Sequence, residues 1–244
     1  MATAKRVALV TGGNKGIGLE ISRNLSEAGC TVLLGARDAE RGKQAVRALK
    51  QSGRSDVHFI EIDVTKQDSV TAAAQAIEKQ YGRLDILMNN AGINVRGDGL
   101  PGSCDLEAVK SVLDTNLVGA LRVAQAMLPL LHKSPGGRIV NVSSGLGSLT
   151  LNSDPAWSAY DVKLIGYCAS KAALNMLTVH LAYELRGTRI KVNSADPGYT
   201  KTDLNDNQGP QPVEVGAIEA TRLALLDDSG PTGGYFSKDG PYPW

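Results

Sequence analysis

Cysteine is scarce in this chain, and the little there is does not pair off. Cys30, Cys104 and Cys168 stand far apart and are odd in number, which argues against a disulfide framework. They read as small buried side chains of a cytoplasmic protein. Histidine is equally sparse: His58, His132 and His180 are isolated, and no Cys-x-x-Cys accompanies them, so zinc is not expected. Long apolar runs are missing as well. No segment approaches the length that spans a bilayer, and Met1–Lys5 leads directly into Val7-Ala8-Leu9-Val10 without the extended apolar core and cleavage site of a secretory signal. Nor is there an excess of one charge. The formal net charge is +1, with no block of like charges, so neither nucleic acid nor an anionic membrane is an expected partner. Internal repeats and linker-like low-complexity stretches are absent too.

What is present is alternation. The 244 residues, 42% hydrophobic and 21% charged, fit one large domain. Arg6–Thr11, Thr31–Ala36, Val57–Ile62, Leu84–Met88, Ile139–Val142 and Ile190–Asn193 are short apolar runs that predict strands, with Tyr235–Phe236 a seventh. Between them Ile17–Glu27, Asp38–Gln51, Gln67–Gln80, Tyr160–Leu185 and Val213–Leu226 carry helical spacing. A long helix is predicted from about Asp105 to Leu131, with an apolar stripe of Leu106, Val109, Leu113, Leu117, Leu121, Ala124 and Leu128. Strands alternating with helices of this length imply an α/β fold, a doubly wound, Rossmann-like parallel sheet of about seven strands with helices on both faces. The turn-rich stretch Asp203–Pro212 is expected to be a flap rather than a domain boundary.

The first predicted strand runs into Thr11-Gly12-Gly13-Asn14-Lys15-Gly16-Ile17-Gly18 and then a helix. Glycines there let the backbone turn sharply and approach a ligand, and a helix N-terminus offers free N–H groups to a pyrophosphate. Gly12, Asn14, Lys15, Gly16, Ile17 and Gly18 are therefore candidate cofactor residues; a tight turn with no ligand is the plain alternative. After the second strand, Asp38 lies where an acid could hold a ribose 2′-hydroxyl, but it also opens a helix and could simply cap it. Arg37 beside it and Lys15 in the loop are two cations meeting at one cofactor end, which favours a 2′-phosphate and hence NADP(H).

Tyr167-Cys168-Ala169-Ser170-Lys171 places a phenol and an ammonium four residues apart, on one helical face. An ammonium there should favour the phenolate and lower the tyrosine pKa, as a general acid/base requires. With seven tyrosines in the chain this spacing is close to a chance event, so its weight depends on company. Asn141-Val142-Ser143-Ser144 provides some, because it sets hydroxyls at the carboxyl end of a strand, where open α/β sheets bind ligands.

Thr11–Gly18, Asp63-Val64, Asn89–Gly92, Asn116, Ser144, Tyr167–Lys171 and Pro197–Thr202, in that order and over nearly the whole chain, resemble the short-chain dehydrogenase/reductase family. That resemblance implies a tetrad of Asn116, Ser144, Tyr167 and Lys171. Tyr167 would donate the proton, Ser144 orient a carbonyl oxygen, Lys171 hold the nicotinamide ribose, and Asn116 anchor a water. It further implies that Asp63 and Val64 meet the adenine, that Asn90, Ala91 and Gly92 line the adenosine side, and that Pro197, Gly198, Thr200 and Thr202 cover the nicotinamide. Outside the resemblance Asn116 reads as a helix flank, Asp63 as the end of a strand, and the Asn90–Gly92 and Pro197–Thr200 stretches as turns.

Within the family, Ala36-Arg37-Asp38, Gly198–Asp203 and Gly233–Phe236 are similar to the NADPH-dependent carbonyl reductase branch. The function implied is reduction of ketones and aldehydes, with a β-ketoacyl carrier-protein reductase as the enzymatic alternative and a non-catalytic NADP-binding regulator as the non-enzymatic one. Leu146, Trp157, Tyr199 and Leu204 are candidates to line a substrate pocket. Tyr167 follows Ser144 by 23 residues, longer than in compact bacterial members and shorter than the insertion of vertebrate carbonyl reductases. Monomer and homo-oligomer are therefore both open, as is whether Pro241-Tyr242-Pro243-Trp244 packs on the domain or serves an interface.

Overall fold

The computed structural model describes residues 5–244; the first four residues of the Met1–Lys5 lead-in to the first strand lie outside the described residues. Eight strands form one sheet in the order β3-β2-β1-β4-β5-β6-β7-β8. They are β1 (Val7–Val10), β2 (Thr31–Ala36), β3 (Val57–Glu61), β4 (Ile86–Asn89), β5 (Arg138–Val142), β6 (Lys191–Ala195), β7 (Tyr235–Ser237) and β8 (Gly240–Pro241). All neighbours are parallel except β8, which turns back antiparallel on β7 and was not expected. The helices are α1 (Gly16–Glu27), α2 (Ala39–Gln51), α3 (Gln67–Tyr81), α4 (Leu106–Leu113), α5 (Ala120–Leu131), α6 (Leu149–Asn152), α7 (Ile165–Glu184), α8 (Val213–Gly216) and α9 (Ile218–Ala224). The helix expected over Val213–Leu226 is thus broken near Ala217.

Because successive strand side chains point to opposite faces, the sheet makes two cores. Leu9, Leu87, Ile139 and Val192 pack with Ile77 of α3, Met127 of α5 and Leu181 of α7 on one face. Ala8, Val10, Leu34 and Met88 pack with Ile21 and Leu25 of α1, Leu49 of α2 and Leu223 of α9 on the other. Strand order reverses between β1 and β4, so their carboxyl ends splay apart and open a crevice there.

The long helix is where periodicity misled. It is continuous from α4 to α5, but Asp114–Gly119 winds as a π-helix. The buried face is Ala108, Val112, Thr115, Asn116, Gly119, Ala120, Val123, Ala124 and Met127; of the expected stripe only Ala124 is fully buried, and Leu106 is 67% exposed. A wider turn in mid-helix resets the phase, so no single 3.6-residue stripe describes both ends. The cysteines also depart from expectation: Cys30 is buried, whereas Cys104 and Cys168 are partly exposed.

Candidate active site

The crevice begins at the loop between β1 and α1. Gly12 and Gly16 adopt positive φ, +62° and +55°, which a side chain would strain. A Cβ on Gly18 would run into the Asn90 side chain and the Gly12 carbonyl, so only glycine lets α1 sit this close to β4. Asn90 holds the loop in return: its Nδ2 donates to the Thr11 and Gly12 carbonyls at 2.9 and 3.2 Å, and its N–H donates to Thr11 Oγ1. Its amide group, expected to face a ribose, is thus committed to shaping the loop. Lys15 opens α1 in an extended conformation, with no side-chain cap and no acid in the first turn. The leading N–H groups of α1 are therefore left to whatever occupies the crevice.

Toward the far end lies Arg37, exposed and in no ion pair among the described residues. Asp38 accepts from the Arg41 N–H at 3.0 Å, which makes it the cap of α2, its plainer reading. Asp63 accepts from the Thr65 N–H and hydroxyl. Burial works against its charge, yet these bonds and the charges of Lys66 and Arg37 hold its carboxyl below the ordinary range. Lys15, expected to meet phosphate, instead bridges 2.9 Å to Asp203 of the flap, both side chains being largely exposed.

The other end of the crevice gathers the expected tetrad. Tyr167 and Lys171 rise from α7, with Lys171 Nζ 5.6 Å from the phenol ring centre and donating to the Val142 carbonyl at 2.8 Å. Ser144 follows β5 and accepts from the Leu146 N–H. Asn116 sits in the π-helical turn and is 1% exposed. Its Oδ1 accepts from Ile93 N–H at 2.8 Å, and its Nδ2 donates to the Ile93 carbonyl and Ser170 Oγ, both at 3.0 Å. Both amide hydrogens are thus committed, so a water could be anchored only by the second lone pair of Oδ1 or by the main chain.

The electrostatics correct one expectation. Burial pushes the Tyr167 phenol up to about 12; a hydrogen bond with Ser144 opposes the rise, while Asp196 and Cys168 add to it. Burial also lowers Lys171, to about 8, against the pull of Asp196. The lysine therefore does not bring the phenol toward neutrality here. Desolvation of both groups outweighs their mutual effect.

One cleft of about 380 Å³ runs from Gly12, Asn14, Lys15, Gly16, Ile17 and Gly18 past Arg37, Asp63, Val64, Asn90, Ala91 and Gly92 to Tyr167, Lys171, Pro197, Thr202 and Leu204. Several expected residues do not line it. Gly198 is exposed, where a Cβ would meet the Gln211 side chain, and Thr200 is buried, held by Pro197, Gly198 and Gln211. Leu146 and Trp157 lie beside Ser144, outside the cleft lining, and Tyr199 is 57% exposed. Conversely, Ile93, Asn94 and Thr115 line the cleft without having been anticipated, since they carry no chemical signature in sequence, and Ser143 lines it as one of the two hydroxyls expected after the fifth strand.

Two acids around the tetrad were also missed. The N-cap residue of α7, Leu164, supplies no side-chain cap. The cap comes from Asp98, whose Oδ1 and Oδ2 accept from the Gly166 and Tyr167 N–H groups, each at 2.8 Å. Asp196, at the end of β6, is 7% exposed. The C-terminal segment packs on the same region: Tyr242 and Trp244 flank Tyr235 at centroid distances of 5.2 and 5.4 Å, and Thr150 N–H donates to the Trp244 carbonyl.

The crevice fits a dinucleotide on the structure's own terms: an uncapped helix start, a glycine-built approach and a continuous channel to a buried phenol. Comparison with known proteins agrees. A family model described as short chain dehydrogenase matches residues 6–212. A short-chain dehydrogenase, anuI, of Penicillium roqueforti (strain FM164) is 37% identical over 91% of this chain and 90% of its own. Among solved structures, salutaridine reductase from Papaver somniferum superposes with a TM-score of 0.83 at 32% identity, over 96% of this chain and 100% of that one. NADPH-bound carbonyl reductase from chicken fatty liver gives 0.85 at 26% identity, over 99% and 100%.

Proposed function

The chain belongs to the short-chain dehydrogenase family, and on that premise we propose that it is an NADPH-dependent reductase of ketones and aldehydes. Residues 1–244 then act as one NADP-binding domain. The observation that carries this reading is the continuity of the cleft from the open start of α1 to Tyr167 and Lys171. Supporting it are the cation Arg37 at the adenosine end, the engagement of Asp38 as a helix cap rather than a ribose acid, and the two reductases, one of them NADPH-bound, that share the fold.

In this reading the nicotinamide supplies hydride when bound. The protein's own work is positioning and proton supply. Gly12 and Gly16 bring the backbone to the pyrophosphate, Val64 packs at the adenine edge, and Pro197 and Thr202 close over the nicotinamide end. Tyr167, kept protonated by burial, gives its proton to the oxygen of the reduced carbonyl. Ser144, hydrogen-bonded to that phenol, orients the same oxygen. Lys171 holds ribose hydroxyls and places a cation beside the phenol, and Asn116 keeps Ile93 and the π-helical turn in register. The cleft wall at Leu204 and Ile93 is apolar, which suits a hydrophobic carbonyl compound.

The test is consumption of NADPH and of NADH across a panel of ketones, aldehydes and β-ketoacyl thioesters, with Tyr167→Phe as control. The expected result is turnover of simple carbonyls with NADPH preferred, and a loss of about 10³-fold in Tyr167→Phe with cofactor still bound. Near-normal rates in that variant overturn the role of Tyr167. A preference for NADH overturns the role of Arg37, and turnover confined to thioesters overturns the substrate class.

A further inference from the structure

Asp196 is a buried acid that the reduction as described does not use. It ends β6, one residue before the Pro197 loop, and its N–H is fixed by the Phe236 carbonyl of β7 at 2.8 Å. Its Oδ1 accepts two backbone hydrogen bonds, from Gly145 N–H at 2.9 Å and from Gly198 N–H at 3.1 Å. The Gly198 bond is local, a turn closing on itself. The Gly145 bond is not: it crosses 51 residues to the 3₁₀ turn Gly145–Gly147, whose first residue directly follows Ser144. A single oxygen therefore joins the segment that presents Ser144 to the loop that borders the cofactor cleft at Pro197.

The charge is placed with equal economy. A carboxylate removed from water is unfavourable unless hydrogen-bonded or paired, yet no ion pair involves Asp196 among the described residues. Its field falls on Lys171 and Tyr167 of α7, on Tyr235 of β7 and on Tyr242 of the C-terminal segment; the remaining titratable neighbour of Tyr167 is Cys168. Lys171 is the one cation in this group. Asn116 and the Val142 carbonyl, which approach the lysine from the long helix and β5, are uncharged.

Resting on the reductase reading above, we infer that Asp196 is a positioning residue for the reduction: one carboxylate oxygen fastens the Ser144 turn to the Pro197 loop, and its negative charge acts on the Lys171 ammonium. Without the fastening, Ser144 and the nicotinamide-covering loop move independently, and a misplacement of about 1 Å at such a centre is enough to slow chemistry severely. Without the charge, Lys171 gives up its proton more readily, because burial already favours the neutral amine.

Two substitutions separate these contributions. Asp196→Asn keeps an oxygen that accepts from both N–H groups and removes the charge; Asp196→Ala removes both. Amide hydrogen exchange over residues 143–147 and 196–200, and kcat/KM for NADPH-driven reduction against pH, are measured for each and for the wild type. In Asp196→Ala, exchange of both segments accelerates together and kcat/KM falls by about tenfold or more. In Asp196→Asn, exchange stays as in the wild type, but the basic limb of the pH profile moves to lower pH by about half a unit or more. Unchanged exchange and rate in Asp196→Ala overturn the fastening; an unmoved limb in Asp196→Asn overturns the charge. If Asp196→Ala does not fold, accelerated exchange of these segments in Asp196→Asn overturns the fastening, because the retained oxygen should hold them. Exchange needs no substrate, so the fastening is decided even if the wild type turns over no carbonyl compound. That failure would count against the reductase reading alone.

Discussion

Two helices point their N-termini at the same crevice, and they end differently. Neither α1 nor α7 is capped by its own leading residue, Lys15 or Leu164. At α7 the gap is closed by Asp98, reaching in from a loop 68 residues earlier to take the Gly166 N–H and, with its other oxygen, the Tyr167 N–H. At α1 no described side chain does so, and the first turn holds no acid. Since leading N–H groups carry partial positive charge, the open end is suited to a bound anion. The closed end holds Tyr167, the proposed proton donor, in place. α2 gives the ordinary case, in which Asp38 caps its own helix and pairs with Arg41 one turn on.

The sharpest way to break the contrast is to close α1. Lys15 is already extended, at φ −160° and ψ 169°, the conformation of a capping residue. Lys15→Asp should stabilise the helix start and put a carboxylate where pyrophosphate belongs, weakening NADPH binding by about 100-fold. Calorimetric titration checks the affinity and thermal unfolding the stability. Lys15→Ser, a neutral cap, should weaken binding less, and equal losses in the two would show that charge at the helix start is immaterial.

The converse is to open α7. Asp98→Ala leaves two N–H groups without their acceptor, which should destabilise the fold by about 1–2 kcal/mol. It should also lower kcat about tenfold through looser placement of Tyr167, while NADPH affinity stays near that of the wild type. Denaturant unfolding and steady-state kinetics test this. A fall in affinity with kcat intact would reverse the division between the two helices.

A pH profile sharpens the closed end further. The proposed reduction uses protonated Tyr167 beside charged Lys171. Burial raises the phenol and lowers the ammonium, so the lysine loses its proton first as pH rises. kcat/KM for reduction is therefore expected to be level near neutrality and to fall as pH passes about 8, with the limb absent in Lys171→Met. The smallest effect should come from Asp38→Ala: about 1 kcal/mol of stability and no change in NADPH affinity. A marked loss of affinity would restore Asp38 to the cofactor site.

Much of this was legible beforehand because it is local. Strand-and-helix alternation, the glycine loop and the Tyr-x-x-x-Lys spacing depend on neighbours in sequence, and β2 was placed to the residue. The long helix was misread because a π-helical turn at Asp114–Gly119 shifts the buried face in mid-course, and no side-chain pattern announces where such a turn falls. Gly198 and Thr200 were found as members of motifs, yet they support the cleft rather than line it, and Asn90 lines it with its amide turned to the glycine loop. Motif membership does not say which way a side chain points. Leu146, Trp157 and Tyr199 were placed by loop position alone, and loops leave the sheet in directions that packing selects.

What the sequence by itself determined is the order of elements, the glycine loop after the first strand, and the arrival of Asn116, Ser144, Tyr167 and Lys171 in one chain. What only the tertiary structure decided is which acid serves which purpose. Asp38, Asp98 and Asp196 look alike as letters before or after an element. One caps its own helix, one caps the helix of Tyr167, and one joins the turn after Ser144 to the Pro197 loop. A carboxylate takes its role from the N–H groups within 3 Å of it, and for two of the three the folded chain brings those groups from more than fifty residues away.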